Sequence, residues 1–226
     1  MQRLSGIKLA VFDMAGTVIN EHGLVYKTLY ETIHNFNIPI KEKDIDKWHG
    51  ANKYQVLDHF LKDNCHQKDF EQQRKILHCN FDNNLKEKYF FNDSISLIHP
   101  KVPNLFTKMR NSGIKIGLNT GYSSDIQFAI IKNLKLNELV DDFVSSDMVT
   151  HGRPKPFMIH KLMYNNNIDN PNLVIKTGDT PNDILEGHNA KCRESIGVLS
   201  GASDINILKK YNPSLIINNI TELDNF

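Results

Sequence analysis

The chain is poor in the features from which a disulfide framework, a membrane span or a nucleic-acid surface is built. Its three cysteines, Cys65, Cys79 and Cys192, are odd in number and widely spaced, which fits reduced thiols in a cytoplasmic protein better than a disulfide set. Cys65-His66 and His78-Cys79 lack the close Cys-x-x-Cys or His-x-x-x-His pairing of a zinc site. Charge of either sign is not in excess: 27 Lys and Arg against 26 Asp and Glu leave a net +1, whereas proteins that bind a phosphate backbone usually carry a large basic surplus. No apolar run approaches membrane-spanning length. Met1 to Gly6 leads directly into a strand-length run, with no signal-peptide pattern. Internal repeats, low-complexity tracts and long flexible linkers are also missing. The expectation is a cytoplasmic protein with neither nucleic acid nor membrane as partner. What is present is ordinary for a globular protein, 40% hydrophobic and 23% charged. Its 226 residues can hold one large domain, or a core with a smaller insertion.

The first pattern is an apolar run from Ile7 to Phe12, interrupted only by Lys8, which reads as a buried strand. It ends on Asp13. Gly16 then permits a tight turn close to a ligand, and Thr17 adds a hydroxyl. Residues 20–98 carry helical periodicity and no convincing strand. Helices are expected from Leu24 to Phe36, from about Lys41 to Trp48, from an Asn52 cap onward, and from about Asp69 to Lys88. After Lys101, strands and helices alternate. Ile114–Leu118 leads to Asn119-Thr120-Gly121, Phe143-Val144 is short, Leu173–Ile175 leads to Gly178-Asp179, and Ile196–Leu199 and Ser214–Ile217 follow. Ser123 or Ser124, Pro154 with Pro156, and Thr180-Pro181 are placed to open the intervening helices. The expected fold class is α/β: a Rossmann-like parallel sheet with helices on both faces, formed by residues 1–19 and 99–226, with an all-helical cap inserted at 20–98.

In open parallel sheets, ligands sit beyond the carboxyl ends of the strands, near the topological switch point. Asp13, Thr120, Arg153 and Asp179 all fall at strand ends or in the loops that leave them, and Asp183 lies one helical turn past Asp179. Two carboxylates from separate strands can share a hard cation such as magnesium. Thr120, with the helix start after it, offers donors to a phosphoryl oxygen. Arg153 supplies a planar cationic fork, with Lys155 its rival for that role. Asp183 either binds the metal or orients its ligands. The set describes metal-assisted phosphoryl transfer to a carboxylate.

In that order, Asp13 with its turn, Thr120, Arg153 and Gly178-Asp179-x-x-x-Asp183 resemble the four motifs of the haloacid dehalogenase superfamily. Asp-Met-Ala-Gly-Thr at 13–17, Thr120-Gly121-Tyr122 and Gly152-Arg153-Pro154 look like its phosphonoacetaldehyde hydrolase (phosphonatase) branch. The resemblance implies an Asp13 nucleophile and Mg2+ held by Asp13, the Ala15 carbonyl, Asp179 and Asp183. It also implies substrate contacts from Gly16, Thr17, His49, Gly121 and Tyr122, and a homodimer formed through the cap. The substrate expected is a small phosphorylated or phosphonate compound.

Ala15 stands where phosphatases of the superfamily place a general acid, and it has no proton to give. Such an acid contributes on the order of 10²–10⁴ in rate when an alkoxide leaves. A carbon–phosphorus bond poses a different problem, because its leaving group is a carbanion. An imine formed by a lysine on the adjacent carbonyl can take up those electrons. The resemblance points to Lys53, within His49-Gly50-Ala51-Asn52-Lys53. Two neighbours depart from phosphonatase: His49 replaces a methionine and Val56 a histidine. His49 is open to three roles, tuning Lys53, binding substrate or joining helices. Two rival readings stand beside C–P hydrolysis: a phosphatase of small phosphomonoesters, and a non-catalytic phosphate sensor or interaction protein.

Overall fold

A computed structural model of the chain describes residues 4–45, 48, 53–91 and 95–225. The chain divides into two compact units, Met1–Asn20 with Ile95–Phe226, and Glu21–Ser94.

The first unit is built on β1 (Leu9–Asp13), with Leu9 to Phe12 completely buried. Such a strand needs cover on both faces, and it has it. Leu9 and Val11 pack with Met158, Ile159 and Leu162 of α6 (Phe157–Asn165). The Phe12 ring lies 5.2 Å from that of Phe106, on α4 (Val102–Asn111). Around β1 stand β4 (Lys115–Thr120), β5 (Asp142–Ser145), β6 (Val174–Gly178), β7 (Glu194–Val198) and β8 (Leu215–Ile217). They form one sheet in the order β5-β4-β1-β6-β7-β8, with every neighbouring pair parallel. The remaining helices are α5 (Ser124–Asn133), α7 (Pro181–Asn189) and α8 (Ile205–Lys209). This is the expected Rossmann-like α/β architecture. From β1 the chain fills one side of the sheet through β4 and β5, then returns to the other side at β6. The switch point therefore lies beside β1, and β1 ends in Asp13. Pro156 occupies the N-cap position of α6, with Pro154 outside the helix.

Two short strands correct the expectation that residues 20–98 contain none. β2 (Ile19–Asn20) pairs antiparallel with β3 (Ser96–Leu97), Ile19 opposite Leu97 and Asn20 opposite Ser96. Two-residue strands leave no periodicity to read.

The regular structure among the described residues of the second unit is all helical. α1 (Leu24–Asn35), α2 (Lys53–Lys62) and α3 (Phe70–Phe91) bury Leu29 and Ile33, Val56 and Leu57, and Leu77 and Leu85. Between α2 and α3, Arg74 Nε donates to both oxygens of Asp58 at 3.0 Å, and the Tyr54 hydroxyl donates to Asp82 at 2.8 Å. Where a helix is expected from Lys41 to Trp48, the described residues form a 3₁₀ turn at Glu42–Asp44. The Asp44 side chain accepts the Lys41 amide at 2.9 Å, a local bond that closes one turn. The Trp48 ring lies 4.9 Å from that of His59. The Asn52 cap, His49 and Gly50 lie outside the described residues.

Candidate active site

Asp13 sits at the carboxyl end of β1, almost fully buried, level with Asn119 of β4. The chain turns sharply after it. Val18 and Ile19 donate their amides to the Met14 carbonyl at 2.9 Å, and Gly16 donates to Ile19 at 2.8 Å. Gly16 has φ +79°, and a Cβ there would lie 2.7 Å from Asp179 Oδ2 and 2.8 Å from the Gly201 backbone. Conformation and space both demand glycine. Asp179 follows β6 and is held from two sides. The Ala202 amide donates to its Oδ2 at 2.7 Å, and the Thr17 hydroxyl lies 3.4 Å from its Oδ1. Asp183, in the first turn of α7, accepts both the amide and the hydroxyl of Thr180 at Oδ2. Its caging role at the helix start is the local reason it points back into the site.

Arg153 lies in the loop between β5 and α6 and binds three acids. Its Nη2 is 2.7 Å from Asp13 Oδ1, its Nη1 2.9 Å from Asp183 Oδ1, and its Nε 3.3 Å from Glu186 Oε2. Nη2 also donates to the Asn119 carbonyl at 2.9 Å. The expected fork is present, and its donors are spent on Asp13, Asp183, Glu186 and Asn119. Lys155, its rival, is exposed. Thr120 ends β4, buried, and its hydroxyl accepts the Tyr122 amide at 3.3 Å. Gly121 is exposed and Tyr122 half-buried. Lys53 is the first residue of α2, in the helical unit.

Three residues missed by the sequence reading complete this centre. Lys176 of β6, fully buried, sits 2.8 Å from Asp183 Oδ1 and donates to Asn119 Oδ1 at 2.8 Å. Glu186, equally buried, accepts both hydrogens of the Asn119 amide group, or one shared between its oxygens, at 3.0 and 2.8 Å. A buried lysine inside an apolar strand gives no local signal of its partners. Glu186 had one, falling a helical turn after Asp183 and so on the same face of α7.

Burial dominates the electrostatics. It raises Asp13 above the ordinary aspartate range, against the opposing pull of Arg153. Asp179 rises well above that range, through burial first and then the charges of Asp13 and Asp183. For Asp183 burial pushes upward as well, but Arg153 and Lys176 outweigh it and leave the group lowered. Asp13, Asp179 and Asp183 each offer a carboxylate oxygen, all within 4.8 Å of one another. Counting Glu186, four buried acids face two bases, the half-buried Arg153 and the buried Lys176. With all four acids ionised, the centre is short of two positive charges. An all-oxygen donor set with that deficit fits a hard divalent cation. Asp183 is already committed to two cations and Thr180, so Asp13 and Asp179 are the better placed ligands.

An acid cluster at the switch point of a parallel sheet stands where α/β proteins place their ligand sites. The chain belongs to the haloacid dehalogenase-like hydrolases, whose family model matches residues 10–198. It is 36% identical over 115 residues to a phosphonoacetaldehyde hydrolase of Parabacteroides distasonis, an alignment covering 50% of this chain and 43% of the relative. The chain spans about half the length of the curated relatives it matches. Among solved structures, it is similar to a predicted phosphoglycolate phosphatase from Haemophilus somnus, with TM-score 0.79, 19% identity and 98% of both chains covered. A phosphonoacetaldehyde hydrolase-like protein from Oleispira antarctica superposes with TM-score 0.76 at 18% identity, covering 98% of this chain and 91% of the other. At those identities the structures speak for the fold.

Proposed function

We propose that this protein is a magnesium-dependent hydrolase that cleaves the carbon–phosphorus bond of a small β-carbonyl phosphonate, with Asp13 as nucleophile and Lys53 as imine-forming amine. The observation that carries the reading is the acid cluster at the end of β1, where Arg153 Nη2 holds Asp13 Oδ1 at 2.7 Å beside Asp179 and Asp183. The absence of a side-chain acid at Ala15 turns that centre away from ester hydrolysis.

Asp13 and Asp179 would hold Mg2+, with the Ala15 carbonyl assisting and Asp183 orienting through Thr180 and Arg153. Bound there, the ion screens the negative charges of nucleophile and phosphonate. Arg153 fixes the Asp13 carboxylate and offsets its charge. Thr120, the backbone of Gly121 and Tyr122, and Gly16 with Thr17 receive the phosphoryl oxygens. The helical unit acts as a cap that brings Lys53 to the carbonyl and excludes water. Asp13 forms a bond to phosphorus as the C–P bond breaks, and the C–P electrons pass into the iminium to give an enamine. Water then hydrolyses the aspartyl-phosphate and frees Asp13. The same resemblance supports a homodimer through the cap; light scattering that returns the 26.0 kDa monomer mass would refute that pairing.

The test is phosphate release from phosphonoacetaldehyde, with and without EDTA, coupled to borohydride trapping and peptide mass analysis. Magnesium-dependent release, lost in Asp13→Asn, and a reduced adduct on Lys53 are expected. Turnover of phosphomonoesters that survives Lys53→Ala, with no adduct, would establish the phosphatase reading instead.

A further inference from the structure

Lys53 meets a proton-exchanging group within its own unit. Its Nζ lies 3.1 Å from the Tyr26 hydroxyl oxygen and 4.3 Å from the centre of the Tyr26 ring. The nitrogen therefore stands near the hydroxyl end of the phenol. Tyr26 is half-buried on α1, between the buried Val25 and the buried Thr28 and Leu29. The Thr28 hydroxyl donates to the Leu24 carbonyl at 2.7 Å across the same turn. On α2, the residue one turn beyond Lys53 is Val56, fully buried and without an exchangeable proton. The Tyr26 hydroxyl thus meets the amine from the neighbouring helix.

We propose that Tyr26 is a further catalytic residue, its hydroxyl relaying protons to and from the Lys53 amine while that amine forms and releases an imine. This deepens, and rests on, the reading of Lys53 as the amine that condenses with the substrate carbonyl. In the addition step, the Nζ lone pair forms the C–N bond and the carbonyl π electrons move to oxygen. Tyr26 takes the proton that Nζ gives up and passes its own to that oxygen, leaving a neutral carbinolamine and a neutral phenol. In the dehydration step the C–O bond breaks, and the nitrogen lone pair closes the C=N bond. The departing oxygen leaves as water with the phenol proton, so an iminium and a phenolate remain as a neutral pair. The enamine carbon takes up a proton from solvent, and hydrolysis of the resulting iminium reverses the sequence and returns the proton to Tyr26.

The phenol supplies the proton-transfer step, a kind of contribution worth about 10²–10⁴ in rate. Tyr26→Phe isolates it, because the ring beside Nζ is kept and only the hydroxyl is lost. The experiment uses the full chain and acetaldehyde as probe, a carbonyl compound with no phosphorus. Borohydride quenches at successive times, and peptide mass analysis reads the reduced adduct on Lys53. The expected result is a wild-type adduct that forms about 10²–10⁴-fold more slowly in Tyr26→Phe, with unchanged far-UV circular dichroism. Equal rates in the two proteins overturn the role of Tyr26 and leave Lys53 standing. No adduct in the wild type overturns both. Should the Phe substitution disturb the dichroism, Tyr26→His decides: a Lys53 adduct supports the relay, and none overturns it.

Discussion

Lys176 brings its ammonium group into the sheet with no exposed surface at all. Asp183, Glu186 and the Asn119 side-chain oxygen receive it, at 2.8, 3.5 and 2.8 Å. Breaking a buried ion pair by removing one partner costs about 3–5 kcal/mol, because the other is left uncompensated. Lys176→Met should therefore destabilise the chain by that amount, read as a lower urea midpoint. Adding Glu186→Gln should restore part of the loss, and additive costs in the double-mutant cycle would refute the coupling. The same residues mark where local sequence stops being informative. Asp13 and Asp179 stand beside glycine-bearing turns at the ends of apolar runs, Asp183 follows one helical turn later, and Arg153 precedes a proline, so each is legible as a candidate site residue. Lys8 and Lys176 look alike in sequence, each a charge within an apolar run. Lys8 is exposed and Lys176 is not. The difference comes from Asn119 and Glu186, which only the assembled sheet brings alongside.

The start of α5 is secured by a residue from another loop. Ser123 occupies the N-cap position, yet no side-chain cap bond forms from it. The Asp147 carboxylate accepts the Ser124 amide instead, at 2.9 and 3.0 Å, together with the hydroxyls of Ser124 and Ser145. Burial pushes Asp147 upward, but these donors outweigh it and leave its pKa below the ordinary aspartate range. A lowered carboxylate stabilises the fold above its unfolded value, about 3.9, and that stability is lost as pH falls through the lower folded value. Asp147→Asn should thus be less stable than wild type at pH 7, by the order of a helix cap, about 1 kcal/mol. The gap should close in strong acid. Urea midpoints measured across pH 2–7, an interval of about five units set by that titration range, would show it; a gap that does not vary with pH would refute the assignment. Sequence chemistry located this helix correctly because Ser, Thr and Asp cluster at helix starts. It placed Ser123 at the N-cap as found and missed only the Asp147 carboxylate, since a residue from the β5 side competes only after β4 and β5 have paired.

The alternation of strand and helix after Lys101 made the doubly wound sheet legible, because parallel strands buried on both faces write themselves as short apolar runs. The β2–β3 ribbon was invisible for the opposite reason, with only Ile19–Asn20 and Ser96–Leu97 to carry it. It nonetheless has a large consequence for how the gene can change. The helical unit begins at Glu21 and ends at Ser94, so its two ends leave from strands that lie side by side, with Asn20 opposite Ser96. Adjacent antiparallel strands can be closed by a two-residue Asn-Gly turn. Replacing residues 21–95 with Asn-Gly should give a chain that still unfolds cooperatively in urea, with the near-UV dichroism of packed aromatic rings; a loss of both would refute independent folding. Insertions succeed where chain ends meet at such a seam. Seventy-odd residues behave as a parenthesis in the text of this protein, open to lengthening or exchange during descent without re-registering any of the six parallel strands.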